Sequence, residues 1–234
     1  MVADIPPVTI VHNPLASTIG VVVGLAAEAR VARPLGLRVA IGGGTATGAD
    51  GAAARLVRDG ATALISFGLA GGLDPALRQG AILVPRAIVV DGRTIPTDPA
   101  LSTALGGPTP HTILGGDAIA ADAETKRRLH NQTGADAIDL ESGAVARLAD
   151  VHGLPCAAIR VICDPAERSL PPAALVALNA AGMIGLGRVL ASLAARPGQL
   201  RALLALAADA ARARRALAAY VTTRRLARGL IASR

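Results

Sequence analysis

The chain has 234 residues, long enough for one large α/β domain, and 52% of them are hydrophobic, so a sizeable core is available. With one Phe, one Tyr and no Trp, that core must be built from Ala, Val, Leu and Ile, and a flat base would find few rings to stack on. The net charge of +7 is uneven: residues 196–234 hold nine Arg against one acid, Asp209, which is +8 and leaves −1 on the rest, so neither a basic body nor an aromatic-interleaved patch points to nucleic acid.

Residues 1–17 read as an irregular lead-in with His12 on the surface, and they lack the basic and continuous apolar segments of a secretory signal. Thr18–Val23 (TIGVVV) is β-branched and predicts a buried strand. Gly24 ends it, and a helix over Ala26–Val31 carries Glu28 just beyond the strand end. The helix dipole favours a first-turn Glu in any case. Leu37–Ile41 predicts a second strand, followed by GGGTATG (42–48) and a helix over Gly51–Asp59 closed by Gly60. The glycine run is either a tight turn or a set of backbone N–H groups for an anion; it is neither a Walker A loop nor GxGxxG. Ala61–Ser66 predicts a third strand, and Phe67-Gly68-Leu69-Ala70-Gly71-Gly72 a loop whose glycines admit a ligand close to the backbone. Ala81–Val84 and Ala87–Val90 read as strand pieces broken by Pro85, residues 93–110 as loop, and Thr112–Leu114 as a short strand. Asp122–Thr133 is a polar helix closed by Gly134.

The organising stretch is Ala137–Arg168. A strand over Ala137–Leu140 gives way to a helix, with Asp139 and Glu141 at the junction. Residues two apart on a strand share a face, so both can look into one pocket. Gly153 stops the helix and Pro155 follows. The apolar run Cys156–Cys163 reads as a buried strand ending at Asp164. Ligands of open α/β sheets bind beyond the carboxyl ends of strands, which is where Glu141 and Asp164 fall. The alternative for Glu141 is a helix cap, and for Asp164 the start of a turn before Pro165. Cys156 and Cys163, seven apart on one strand, would be roughly 23 Å apart. They predict free thiols and a reducing, cytoplasmic setting.

Ser169–Gly187 is free of charge but contains Pro171, Pro172 and three glycines, so it reads as a core helix rather than a membrane span. After Pro197-Gly198 a helix over Gln199–Gly229 keeps Leu200, Leu203, Leu204, Ala207 and Ala211 on one face and Arg214, Arg225 and Arg228 on another. The alternation of strands and helices predicts an α/β fold: a single three-layer domain over 1–196 with a largely parallel, mixed central sheet, plus a basic amphipathic helical extension over 197–234.

Four segments in order, GVVVGLAAEAR (20–30), LISFGLAGGLDPALRQGAILVP (64–85), GGDAI (115–119) and AIDLESGAVARLADVHGLPCAAIRVICDPAE (137–167), resemble the nucleoside phosphorylase and nucleosidase superfamily, in particular its methylthioadenosine/S-adenosylhomocysteine nucleosidases. DLESGAVAR, VICDPAERSLPPAALVAL and the Arg-rich tail bring the hopanoid-biosynthesis members, which act on adenosylhopane, closest. The resemblance implies that Asp164 protonates purine N7, with Cys163 in place of the usual Ser beside it. It implies that Glu28 activates water, one residue nearer its strand glycine than in the bacterial nucleosidases. Glu141, with Asp139 and Leu140 beside it, would hold the ribose diol. Phe67, Gly68 and Gly71 would border the sugar, and Ile119 would take the place of the aromatic that stacks on adenine. No cofactor or metal is implied.

The chemistry suits these groups. Cleaving an N-glycosidic bond puts positive charge on the ribosyl ring and negative charge on the departing purine. A placed acid relieves the second by a factor of about 10²–10⁴. A carboxylate base for water on the opposite face parallels inverting glycoside hydrolysis. Phosphorylases of the superfamily flank their glycine loops with Arg, whereas here the nearest is Arg78, so hydrolysis is expected over phosphorolysis. Cleavage of methylthioadenosine or S-adenosylhomocysteine is the alternative substrate reading, and a non-catalytic nucleoside-binding membrane adaptor the alternative of another class. A homodimer is expected. The Arg-rich tail either binds an anionic membrane surface at the inner face of the cytoplasmic membrane or packs on the body with its Arg in solvent.

Overall fold

The β-branched runs of the first half of the chain pair with one another. In the computed structural model, which describes residues 18–175 and 186–223, β1 (Ile19–Val23) lies parallel to β2 (Arg38–Ile41) on one side and to the first half of β3 (Ala63–Gly72) on the other. His12 and the arginines at 224, 225, 228 and 234 lie outside the described residues. β9 (Cys156–Asp164) runs parallel along the opposite edge of β3, with Gly71 facing Asp164 in the register. The second half of β3 then pairs antiparallel with β8 (Ala137–Asp139) through Gly71–Ile138 and Gly72–Ala137. β7 (Thr109–Gly115) continues in parallel with β8 and with β5 (Pro85–Val90). β6 (Arg93–Pro96) closes that side antiparallel, and the short β4 (Ile82–Leu83) pairs antiparallel with β9. The sheet is therefore mixed and mostly parallel.

Strand alternation sorts the core into two faces. Val22, Leu64 and Ala158 look towards α2 (Ala46–Arg58) and α5 (Ser142–Val151). Ile19, Val21, Val23, Ile65 and Phe67 look towards α1 (Ala26–Ala32) and α8 (Leu200–Thr223). That makes three layers, α/β/α. Ala is the commonest buried residue on the α2–α5 face, and its small side chain lets these helices lie close to the sheet. Three further helices, α3 (Pro99–Ala104), α4 (Ala123–Thr133) and α6 (Pro172–Leu175), lie between strands or after β9, and α7 (Leu186–Ala195) precedes α8.

Several expectations need correction. Phe67–Gly72 is not a loop but the second half of β3, because β8 and β9 supply partners on both edges. α2 begins at Ala46, five residues before the expected Gly51, because Thr45 caps it by accepting from the Gly48 N–H at 3.1 Å. The N–H groups of Gly42 and Gly43 donate to Val23 O and Gly24 O at 2.7 and 2.9 Å, so this run serves as a turn tied to the end of β1 rather than as an anion cradle built from those two groups. Residues 93–110, expected as loop, contain β6 and α3, the latter capped by Asp98.

On α8 the buried residues are Asp209, Ala213, Leu217 and Val221, while Leu200 and Leu204 are exposed, so the expected apolar face is not the one that docks. The helix turns because its one acid finds a partner on the body: Asp209 pairs with Arg168, and with Arg212 of its own helix. Tyr220 adds a hydrogen bond from its hydroxyl to Leu105 O at 3.0 Å. Residues 200–223 thus pack on the body with Arg201, Arg212 and Arg215 outward. No helix among the described residues is long and apolar enough to cross a membrane.

Candidate active site

β1 stops opposite Phe67, and β8 reaches the same edge of β3 only at Gly71. The gap between them, at Gly68–Ala70, is where three chain segments converge. From β1, Gly24 and the first turn of α1 bring Glu28. From β8, which runs against β3, the junction at Asp139–Glu141 descends towards Gly24. From β9, Asp164 arrives beside Gly71. The resulting cavity, about 200 Å³, is lined by Glu28, Asp139, Glu141 and Asp164, with Lys126 and Cys163 beside the last, among mostly aliphatic groups. The apolar wall comes from Leu25, Leu69, Ile119, Ile138, Leu140 and Leu170.

Each carboxylate is held differently. Glu28 is buried, and its Oε2 accepts from Leu25 N at 2.8 Å while Oε1 accepts from Leu69 N at 3.0 Å. The first of these bonds is the helix-start role expected of any first-turn Glu; the second fixes it to the cavity edge of β3. Asp139, not Glu141, caps α5: its Oδ1 accepts from Glu141 N at 2.8 Å and Ser142 N at 2.6 Å. The capping alternative for Glu141 is thereby removed, and the Glu141 side chain is left facing the cavity without a cap bond.

Behind Glu28, Asp139 and Glu141 lies Arg160, fully buried on β9. Its Nε donates to Asp139 Oδ2 at 2.8 Å and its Nη2 to Ser66 Oγ at 2.5 Å and Ser142 Oγ at 3.0 Å, with Glu141 Oε2 at 3.3 Å. Nη1 has no hydrogen-bond partner among the described residues. An added Cβ on Gly68 would lie 2.6 Å from both Arg160 Nη1 and Glu28 Oε1, and one on Gly24 would lie 2.5 Å from Glu141 Oε1. Both positions therefore need glycine, because side chains converge on their Cα atoms.

One cation shared by three carboxylates does not neutralise them. Burial raises the Glu28 carboxyl, with Arg160 and the backbone N–H groups opposing. Burial likewise pushes Glu141 up to about 8, against the pull of Arg160 and with the Asp139 and Glu28 charges adding to the rise. At Glu141 burial thus outweighs the guanidinium that opposes it.

A stability consequence follows. Between the ordinary carboxyl value of 4.5 and about 8 the unfolded chain has lost the Glu141 proton while the folded chain keeps it. The folded state then binds more protons, and stability falls as pH rises through that window. Glu141→Gln is expected to flatten the decline in Tm between pH 5 and 8. A slope equal to that of the unsubstituted protein in thermal denaturation would show that another group titrates.

At the other end of the cavity Asp164 ends β9, buried, with Lys126 Nζ 2.5 Å from its Oδ2. Cys163 Sγ lies 2.8 Å from Oδ1. Burial and the adjoining carboxylate keep that thiol protonated, so it serves as a donor. Ile119, Leu140, Gly71 and Cys163 line the cavity as well. Phe67 and Gly68 do not: Phe67 is fully buried in the core facing α1 and α8, and Gly68 backs onto Arg160 and Glu28. Arg78 is exposed beside Glu167, away from the cavity.

Two residues that sequence reasoning passed over are Arg160 and Lys126. Arg160 had a signal, since a lone charge inside a buried strand must find a partner. Lys126 had none, standing next to Arg127 and Arg128 on a helix read as polar.

The fold has counterparts in known proteins. A model of the phosphorylase superfamily matches residues 39–176, which include Glu141 and Asp164 but not Glu28. The 5′-methylthioadenosine/S-adenosylhomocysteine nucleosidase of Mycobacterium bovis is 30% identical over 154 residues, covering 46% of this chain. The chain spans 60% of the length of that curated relative. Among solved structures, the nucleosidase of the same name from Helicobacter pylori superposes with a TM-score of 0.67 at 16% identity, covering 89% of this chain and 97% of its own. The futalosine hydrolase of Helicobacter pylori superposes at 0.65, also at 16% identity, covering 90% of this chain and 97% of its own. At such identities the likeness is one of fold.

Proposed function

The chain belongs to the phosphorylase superfamily, and we infer from its site that it is a purine nucleosidase that cleaves an N-glycosidic bond with water. One observation carries the reading: Glu28, Glu141 and Asp164, far apart in sequence and on separate strand ends, open onto a single cavity. Glu28 and Asp164 are then the base and acid of the reaction, and Glu141 the sugar contact. Water adds to C1′ and gives its proton to Glu28, the C1′–N9 electron pair leaves with the purine, and Asp164 supplies the proton taken by N7. Holding water and nucleoside in line contributes as much as the proton transfers.

Water is preferred over phosphate because Lys126 is the one cation lining the cavity among the described residues, and it is spent on Asp164. Arg160 is spent on carboxylates.

The finer reading is that the substrate is adenosylhopane, released as adenine and ribosylhopane. The aliphatic wall supports a nucleoside with an apolar 5′ substituent. The outward arginines of α8 support residence near an anionic surface where such a lipid would lie. Hydrolysis of methylthioadenosine or S-adenosylhomocysteine is the second reading, favoured by the name of the curated relatives. The test is base release, followed by chromatography, from 5′-methylthioadenosine, S-adenosylhomocysteine, futalosine and adenosylhopane in vesicles, each with and without phosphate. Free adenine from adenosylhopane in phosphate-free buffer is expected. Release that requires phosphate would overturn hydrolysis, and release from the soluble nucleosides alone would overturn the lipid substrate.

A further inference from the structure

Lys126 is a buried cation for which the scheme above has no use. It sits on the second turn of α4, whose start Asp122 caps by accepting from Thr125 N at 2.7 Å. Its side chain is fully buried. The ammonium has three protons and spends each: on Asp164 Oδ2 at 2.5 Å, on Pro165 O at 3.0 Å and on Arg168 O at 3.0 Å. Two of these acceptors are main-chain groups of the segment just after β9, so one ammonium fixes both the carboxylate and the turn behind it.

Burying an ammonium is costly unless it is paired, and apolar packing would hold α4 against this turn with no such penalty. A charge at this place needs a further reason, and the cavity supplies it. Lys126 occupies Oδ2. What meets Oδ1 is the Cys163 thiol, a weak donor that takes one lone pair of that oxygen and leaves the other for a proton. Oδ1 is thus the oxygen of Asp164 free to exchange a proton with a bound base.

We propose that Lys126 is a positioning residue for leaving-group protonation: it holds Asp164 by Oδ2, turns Oδ1 to the purine, and stabilises the carboxylate that remains once the proton has gone. The inference rests on the nucleosidase reading. The step concerned starts from Asp164 that has taken a proton from solvent on Oδ1: the C1′–N9 bond breaks with its electron pair entering the purine, that proton passes to N7, and Asp164 is left as a carboxylate. An ammonium attracts a carboxylate more than it attracts the neutral acid. Its contribution is therefore larger after proton transfer than before, which is the condition for lowering the barrier rather than merely binding substrate.

The consequence is a dependence on the leaving group. Adenine needs a proton to depart; 4-nitrophenolate does not. Lys126→Met is expected to lower kcat for 5′-methylthioadenosine by about 10²-fold with KM changed less. For the matching 5-methylthioriboside of 4-nitrophenol the loss should be at least about tenfold smaller. A merely structural lysine would cost both substrates equally, and that result would overturn the proposal. Should the Met variant not fold, the pair Asp164→Asn and Lys126→Gln/Asp164→Asn decides, because the double variant buries no unpaired charge. Equal adenine release by the two is expected if Lys126 acts through Asp164, whereas a further tenfold loss in the double variant would overturn it. Where only adenosylhopane in vesicles is cleaved, it takes the place of 5′-methylthioadenosine in these comparisons; unsubstituted protein that releases adenine from neither nucleoside would instead bring down the nucleosidase reading, and this inference with it.

Discussion

Glu28→Gln is expected to lower kcat for base release by about 10²–10⁴, with KM within a few-fold of its starting value. The substitution is nearly isosteric. Its amide oxygen can keep one of the two bonds now made by Leu25 N and Leu69 N, so the local fold has little reason to change. What disappears is the ability to take a proton from water. Burial is the first cause of the raised Glu28 pKa, and a base raised from the ordinary carboxylate range holds its proton more firmly once it has taken it. The pH profile carries the sign: activity of the unsubstituted enzyme rises with pH as Glu28 loses its proton, and the Gln variant lacks that limb. Undiminished turnover in Glu28→Gln would remove Glu28 from the reaction. Its loss without loss of the rising limb would place the titration elsewhere, with Glu141 the nearest candidate.

How much of this was legible in the sequence depends on the kind of information required. Strand ends were legible, because β-branched runs terminated by Gly24, Asp139 and Asp164 announce themselves locally. The carboxylates at those ends could therefore be named. The sheet direction at the site was not. The rule that ligands sit beyond carboxyl ends assumes parallel strands, yet β8 runs against β3. Glu141 reaches the cavity because β1 ends early and leaves an edge of β3 open, which is a matter of pairing register rather than of local pattern. The glycines at 68–72 misled for the same reason: they suggest a loop until two neighbouring strands are known to cover them. The docking face of α8 was missed because a helical wheel scores leucines, whereas the decisive residue is an acid that meets Arg168 across the interface. Lys126 and Arg160 show the general limit. A charge is read as solvent-facing until its partner is found, and both partners lie more than twenty residues away in sequence.

Arg160→Met is expected to be the most damaging single change to stability. Arg160 is fully buried, and its bonds to Asp139, Ser66 and Ser142 tie β9, β8, β3 and α5 together at one point. Removing it leaves Asp139 buried without its cation, a situation that typically costs about 3–5 kcal/mol. It also removes the main influence opposing the rise of Glu28 and Glu141, so both should hold their protons to higher pH. Activity near neutral pH would then fall through two routes, less folded protein and a base that is protonated. Lys at this position keeps the charge but not the planar fork, and cannot serve Asp139 and both serines at once. The diagnostic comparison is the double variant Arg160→Met/Asp139→Asn, measured by urea denaturation. If the cost arises from a stranded carboxylate, the double variant is more stable than Arg160→Met alone. If it is instead less stable, the cost lies in lost packing and hydrogen bonds to Ser66 and Ser142, and the electrostatic account of the site would have to be rebuilt around those serines.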